Sequence, residues 1–475
     1  MRKVSINIAL PKGRFLGETA SVLRRAGWGL DGYHETARFY RLKSQKFPNL
    51  SAKVFHEKDI PVQVAVGNYD LGICGLDWIE ELLVRYPSSA LVKVRDLGYG
   101  DGALYVAASR SAAAIVAELQ AKPGIIRMAS EYPNLAESFM VNLRLRRFSV
   151  FPLWGAAEVY PSESCDLVLI PGRAEEPLFN YGLVPVAKVL RLSAFVIANK
   201  NSWETKNLGD VLASIYNTNP VVRRKQPSST AVVRMPEIAG QGFPGVDEGI
   251  VRLALPDGHQ QVPTLSLLSK AGIRIDDYTS PVSNRRPTTS LSGVMIKVIR
   301  PQDMPLQVAN GNFDLAITGR DWLREHLYRF PSSPVTELQD LKFGKVKIVA
   351  VVSKNLPIAD VYSLRQLIAK RLGPFRVASE YVNIADKYAR DNHLGMYRVI
   401  PTWGASEAFI PEDADLLIEN TETGRTISRH NLKIIDTLFV STACLIGNTG
   451  SMSSSSKGRR MKSIMKKLQT AVEDV

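Results

Sequence analysis

Cysteine is scarce. Cys74, Cys165 and Cys444 are the three in 475 residues, far apart and never in a Cys-x-x-Cys pair. That spacing excludes a disulfide framework and a cysteine zinc site, and leaves the three as small apolar fillers of the interior. Histidine is sparse too; none of the six has a partner at metal-ligand spacing, so a structural role is expected for each and no protein-held metal is expected. Long apolar runs are missing. Met1-Arg-Lys followed by Val4 to Leu10 imitates a secretory leader, but Pro11-Lys12-Gly13-Arg14 ends the run and no small-residue cleavage site follows. Neither a leader nor a membrane span is expected, and the expected location is the cytoplasm.

Acidic residues fall short of basic ones, leaving a net charge of +14. Such an excess suits a nucleic-acid surface or pockets for polyanionic small molecules, and charge alone does not choose. Part of it sits in Lys457, Arg459, Arg460, Lys462, Lys466 and Lys467, where Met461, Ile464, Met465 and Leu468 recur at helical spacing. That pattern predicts an amphipathic helix with a solvated basic face, in preference to a nucleic-acid arm.

What the chain does have is repetition. Asp59-Ile-Pro-Val-Gln-Val-Ala-Val-Gly-Asn-Tyr-Asp-Leu-Gly-Ile-Cys-Gly-Leu-Asp-Trp78 is echoed by Asp303-Met-Pro-Leu-Gln-Val-Ala-Asn-Gly-Asn-Phe-Asp-Leu-Ala-Ile-Thr-Gly-Arg-Asp-Trp322. Leu10-Pro11 recurs as Leu255-Pro256, Ala129-Ser-Glu-Tyr132 as Ala378-Ser-Glu-Tyr381, and Trp154-Gly-Ala as Trp403-Gly-Ala. A period above 200 residues is far too long for a solenoid and marks a tandem duplication with a core in each copy. Within each copy, short apolar strands alternate with helical stretches, which predicts α/β lobes with mainly parallel sheets. Residues 217–249 break both periodicities and read as a linker, giving a first copy at 1–216 and a second at 250–475.

One loop stands out chemically. Ala414-Asp-Leu-Leu-Ile-Glu-Asn-Thr-Glu-Thr-Gly-Arg-Thr-Ile427 reads as a strand, a loop of hydroxyls and glycine, and a helix from Ile427. Glycine lets backbone amides approach a phosphate, hydroxyls add donors, and a helix N-terminus favours negative charge. The alternative is that Thr423 or Thr426 only caps the helix. Glu419, at the strand end, is suited to sugar hydroxyls.

These strings resemble the ATP phosphoribosyltransferase family, which opens histidine biosynthesis. The resemblance rests on Ile8-Ala-Leu-Pro-Lys-Gly-Arg14, Asp59-Ile-Pro, Gly72-Ile-Cys-Gly-Leu-Asp77, Glu419 to Thr426, and Ser441-Thr-Ala-Cys-Leu-Ile-Gly-Asn448, and runs almost end to end through both copies. It implies a two-lobed unit like a type II periplasmic binding protein, joining ATP to 5-phosphoribosyl 1-pyrophosphate with Mg2+. It also implies dimers in which an arginine crosses to the neighbouring site, so the fused copies are expected to form an internal pseudo-dimer. On that basis Glu419, Thr421, Glu422, Thr423, Gly424, Arg425 and Thr426 bind the phosphoribosyl donor. Lys12, Gly13, Arg14, Thr318, Gly319 and Asp321 are expected at the nucleotide. Lys12 and Arg14 with the crossing Arg38 are the expected catalytic cations, because the step needs departing charge neutralised more than it needs a strong base. Arg285 matches Arg38 in the second copy. The metal is expected on the pyrophosphate.

Departures from the family pattern set the copies apart. The second copy has Asp257 and His259 where the first has Lys12 and Arg14, which weakens a grip on nucleotide phosphates. The first has Ile170 opposite Glu419 and Ala174-Glu-Glu-Pro177 opposite Thr423-Gly-Arg-Thr426, where two carboxylates repel a phosphate and proline removes an amide. Trp154 and Trp403 stand where the family has a Gly-Ser pair. Copy two is therefore expected to hold the donor pocket, with copy one contributing basic residues. The competing reading is a non-catalytic nucleotide- or histidine-sensing protein. No regulatory domain is expected after the second copy; the short form of the family works with a separate chain resembling a histidyl-tRNA synthetase.

Overall fold

The computed structural model describes residues 5–34, 40–109, 119, 124–161, 163–172, 181–218, 249–279, 285–370, 373–404 and 406–473. Arg38, Ala174 to Pro177 and most of the expected linker lie outside the described residues; Asn217 and Thr218 end the helix Gly209–Thr218. The chain divides into two compact units. Unit 1 is Met1–Pro152 with Tyr160–Phe243 and Trp403–Ala408; unit 2 is Leu153–Val159 with Pro244–Thr402 and Phe409–Val475. Each unit thus takes in the Trp-Gly-Ala segment that belongs by sequence to the other repeat.

Unit 2 has two lobes, each built on a five-stranded sheet. The first runs Val294–Ile299, Val251–Pro256, Leu315–Gly319, Ala443–Asn448, Val335–Asp340 across its width. The second runs Tyr397–Pro401, Phe375–Ser379, Leu416–Thr421, Val346–Ser353, Leu432–Ser441. Parallel pairs lie where βα alternation predicts them, with Val251 opposite Val294 and Leu253 opposite Leu315. The sheets are nevertheless mixed. Ala443–Asn448 enters the first lobe from the second, so it meets Leu315–Gly319 and Val335–Asp340 head to tail. The two inter-lobe crossings lie side by side: Leu341 N–H donates to Ala443 O at 2.9 Å, Ala443 N–H to Phe343 O at 2.8 Å, and Thr442 Oγ1 to Asp340 Oδ1 at 2.8 Å.

Burial follows the sequence pattern. Val251, Leu253 and Leu255 on one strand and Leu315 and Ile317 on its neighbour are sealed in the first-lobe core. The basic C-terminal stretch forms the expected helix, Ser455–Glu473; Met461, Ile464 and Leu468 close that core while Arg459, Lys462, Lys466 and Lys467 face solvent. Unit 1 repeats the plan, with a six-stranded first sheet in which Ile6–Lys12 is flanked in parallel by Leu50–His56 and Leu71–Gly75, and a five-stranded second sheet. Its helix Gly209–Thr218 supplies Val211, Leu212 and Ile215 to the first core. All three cysteines are buried, as expected, and none is in a disulfide. Among the described residues no helix is long and apolar enough to cross a membrane.

Candidate functional site

The repeated Gly-x-Asp-Trp and Ser-Glu-Tyr blocks meet in each unit. In unit 2, Gly319 ends a strand and the helix Arg320–Arg329 begins at once. Asp321 folds back over the glycine, where a Cβ would lie 2.1 Å from its Oδ1, so a side chain there would displace the Asp321 carboxylate. From the second lobe, Tyr381 donates its hydroxyl to Asp321 Oδ2 at 2.6 Å, and Ser379 Oγ holds the turn by accepting Tyr381 N–H and donating to Ile418 O. Burial, then the Asp321 charge, pushes the Tyr381 phenol well up, which keeps it a donor. One turn further along, Glu325 accepts the N–H groups of Asn383 and Ile384 at the start of helix Val382–Asp391. Unit 1 matches this: Tyr132 Oη donates to Asp77 Oδ2 at 2.7 Å, and Glu81 accepts from Asn134 and Leu135 N–H. The repeats were visible in the sequence; that they join the lobes was not, because the joined blocks lie more than 50 residues apart.

Beside Asp321 in unit 2 lies a cavity of about 200 Å³ whose wall includes Asp257, His259, Arg300, Trp322, Tyr381 and Asn420. A larger open groove of about 460 Å³ runs past Arg286 and the edge strand Val294–Ile299, away from these groups, and we place the site in the smaller cavity. Asp257 is neutralised there by Arg285 Nη1 at 2.7 Å and Arg300 Nη1 at 3.2 Å. Arg285, the counterpart of Arg38, is thus spent on a carboxylate within its own unit. His259, expected to be structural, stands on the cavity wall. Of the expected nucleotide residues, Asp321 borders the cavity, but Thr318 is wholly buried with its hydroxyl donated to Pro301 O at 2.9 Å. The Thr318 hydroxyl thus sits in the core of its lobe.

The expected donor loop follows the strand Leu416–Thr421. Asn420 reaches the cavity and donates to Tyr381 Oη at 2.9 Å. Thr421 is buried; Glu422, Thr423, Arg425 and Thr426 are exposed, and Glu419 is half-buried. The helix starts at Arg425, two residues earlier than expected, and is only five residues long, so its dipole adds little. Gly424 takes the left-handed φ of 73° and donates its N–H to Thr421 Oγ1 at 2.9 Å, so Thr421, not Thr423 or Thr426, stabilises the turn.

In unit 1 the corresponding cations are present and engaged. Arg14 Nε bonds Glu57 Oε2 at 2.8 Å and Nη2 bonds Asp77 Oδ2 at 2.5 Å. Lys58 pairs with Glu131 at 3.0 Å, and exposed Lys12 touches Tyr40 Oη at 3.4 Å beside Gly13 at φ 91°. Burial pushes Glu57 up to about 7 despite Arg14, and burial, with Lys58, Lys12 and Arg14 nearby, pulls His56 down to about 4. Ile170 takes the Glu419 position, facing Tyr105 as Glu419 faces Val349.

A family model described as HisG, ATP phosphoribosyltransferase, matches residues 56–217 and again 300–470. The ATP phosphoribosyltransferase of Chlorobaculum parvum is 32% identical over 228 residues, 47% of this chain and 72% of that protein. That of Saccharolobus solfataricus is 35% identical over 210 residues, 42% of this chain and 64% of that protein. Among solved structures, the ATP phosphoribosyl transferase (HisG:HisZ) complex from Thermotoga maritima aligns with 24% identity and a TM-score of 0.39, over 48% of this chain and 100% of that one. The alkanesulfonate-binding protein SsuA from Xanthomonas axonopodis pv. citri aligns with 10% identity and a TM-score of 0.29, over 47% of this chain and 73% of that one.

Proposed function

Since the chain belongs to the ATP phosphoribosyltransferase family, we propose that it catalyses the first step of histidine biosynthesis, joining ATP to 5-phosphoribosyl 1-pyrophosphate. Adenine N1 bonds to the anomeric carbon as the carbon–oxygen bond to pyrophosphate breaks, giving N1-(5-phosphoribosyl)-ATP and pyrophosphate. The observation that carries this reading is the Glu419–Thr426 segment of unit 2, which runs from the end of the strand Leu416–Thr421 into the following turn and borders the cavity through Asn420. Glu419 takes the ribose hydroxyls, and Thr421, Thr423, Gly424 and Thr426 form the 5-phosphate cradle with Glu422 and Arg425 at its rim. Lys12, Gly13 and Arg14 remain the candidate polyphosphate contacts of unit 1, with Arg14 first having to leave Glu57 and Asp77. No three His, Cys, Asp or Glu side chains among the described residues converge on a metal position. Mg2+ would be carried mainly by the pyrophosphate, and no step is assigned to a protein-bound metal.

Two further parts belong to the proposal: the 1–216 and 250–475 copies as functional halves in the cytoplasm, and a separate regulatory chain resembling a histidyl-tRNA synthetase. A non-catalytic sensor is the second reading, favoured by Asp257, which sits neutralised by two arginines where the first repeat has Lys12. Titration calorimetry with the donor and Mg2+ tests the donor assignment. Gly424→Ala adds a Cβ that meets no atom within 4 Å and pays only for the left-handed backbone, about 1 kcal/mol, so binding should weaken modestly. Gly424→Asp brings a carboxylate to the cradle and should abolish binding; donor binding by Gly424→Asp equal to that of the unaltered chain rejects the assignment.

A further inference from the structure

Leu153–Val159 is a first-repeat segment that packs as part of unit 2. Its backbone is strained at Ala156, whose φ of 56° is a left-handed conformation that costs a non-glycine residue about 1 kcal/mol or more, just before the turn Ala157–Val159; the preceding Gly155, at φ 158°, carries no such cost. Strain of that kind persists where the surroundings hold it, and here the surroundings are the wall of the unit 2 cavity. Asp303, a carboxylate only 3% exposed, accepts Trp154 N–H through both oxygens, at 2.9 and 3.1 Å. The Trp154 ring packs on Trp322 with centroids 5.6 Å apart, and Trp322 packs on Tyr381 at 4.4 Å. Glu158 Oε1 lies 3.5 Å from Arg285 Nε, and Arg286 Nη2 donates to Val159 O at 3.1 Å. Gly155 lies so close to Arg300 that a Cβ would be 2.9 Å from its Nε.

The pattern in these contacts is that three residues of the wall are each backed by a different residue of the segment. Trp154 supports Trp322, Gly155 confines Arg300, and Glu158 holds the Arg285 that neutralises Asp257. We propose that Leu153–Val159 is a positioning element for the unit 2 cleft, setting Arg300, Asp257 and Trp322 in the arrangement that accepts the diphosphate-bearing donor. This rests on the reading that unit 2 binds the donor. Arg300 is the residue most sensitive to it. Its side chain is 43% exposed and divided between Asp257 and open space, so the direction of its guanidinium depends on what stands behind it. A guanidinium displaced by about an ångström loses the geometry that a bidentate phosphate contact requires.

The test uses the full chain, with 5-phosphoribosyl 1-pyrophosphate and Mg2+ in a calorimeter and thermal melts alongside. Gly155→Ala should weaken donor binding about tenfold, and Glu158→Gln, which keeps the shape and removes the charge, should weaken it by a smaller factor with an unchanged melt. Arg300→Ala removes the atoms the new methyl would strike. The Gly155→Ala, Arg300→Ala double variant should therefore bind no more weakly than Arg300→Ala alone, a non-additivity that general backbone strain does not produce. Additive losses, or unaltered binding in both Gly155→Ala and Glu158→Gln, overturn the positioning role while leaving the donor site intact. An unaltered chain that fails to bind the donor overturns the donor assignment itself, and this proposal with it.

Discussion

Asp77 and Asp321 hold the same place in the two repeats, share a tyrosine donor and differ in their second partner. Asp321 Oδ1 accepts Ser441 Oγ at 2.8 Å. In unit 1 the matching position is Leu192, as the strand registers Ala194 opposite Gly75 and Ala443 opposite Gly319 require, and Asp77 instead takes the Arg14 guanidinium. Arg14 with Leu192 has thus been exchanged for His259 with Ser441. Removing one side of such a buried pair strands a carboxylate. Arg14→His should destabilise unit 1 by about 2 kcal/mol, and adding Leu192→Ser should recover part of that loss by supplying the hydroxyl used in unit 2. Urea unfolding of the two variants checks this; a Leu192→Ser change that only adds its own cost contradicts the exchange. The sequence displayed Lys12 and Arg14 as cations suited to phosphate, but not that Glu57, 43 residues away, and Asp77, 63 away, already hold Arg14.

At the scale of elements, the helices Leu76–Arg85 and Arg320–Arg329 each carry an inter-lobe clamp in Glu81 and Glu325. Burial pushes Glu81 up to about 7, more than its bonds from Asn134 and Leu135 pull it down. A carboxyl raised above its unfolded value binds a proton more readily when folded, so its contribution is fully present below about pH 4.5 and is lost as pH rises through about 7. His56 works in the opposite sense, since its depressed value costs stability as pH falls from about 6.5 towards 4. The difference between the unaltered chain and Glu81→Gln isolates the clamp: the stability gap should change by roughly 3 kcal/mol at most across pH 4.5 to 7, followed by denaturant midpoints. A gap independent of pH contradicts a raised Glu81. Element existence was legible from apolar periodicity, down to the buried face of the Ser455–Glu473 helix. The returning antiparallel strands were not, because the direction in which Ala443–Asn448 enters its sheet depends on a partner lobe and not on its own residues.

For the whole molecule, the duplication was plain in the sequence, and so was the divergence between a repeat rich in cations and a repeat with an intact hydroxyl loop. The membership of Leu153–Val159 in unit 2 was hidden, because Trp154-Gly-Ala and Trp403-Gly-Ala are alike in sequence and only packing distinguishes their surroundings. We propose that this divergence left a working transferase, with the donor held by Glu419 to Thr426. The most direct measurement is product formation by the purified full chain given ATP, 5-phosphoribosyl 1-pyrophosphate and Mg2+, with Gly424→Asp in parallel. The unaltered chain should give N1-(5-phosphoribosyl)-ATP and pyrophosphate in equal amounts and Gly424→Asp neither; a folded chain that binds the donor and makes no product contradicts the proposed activity.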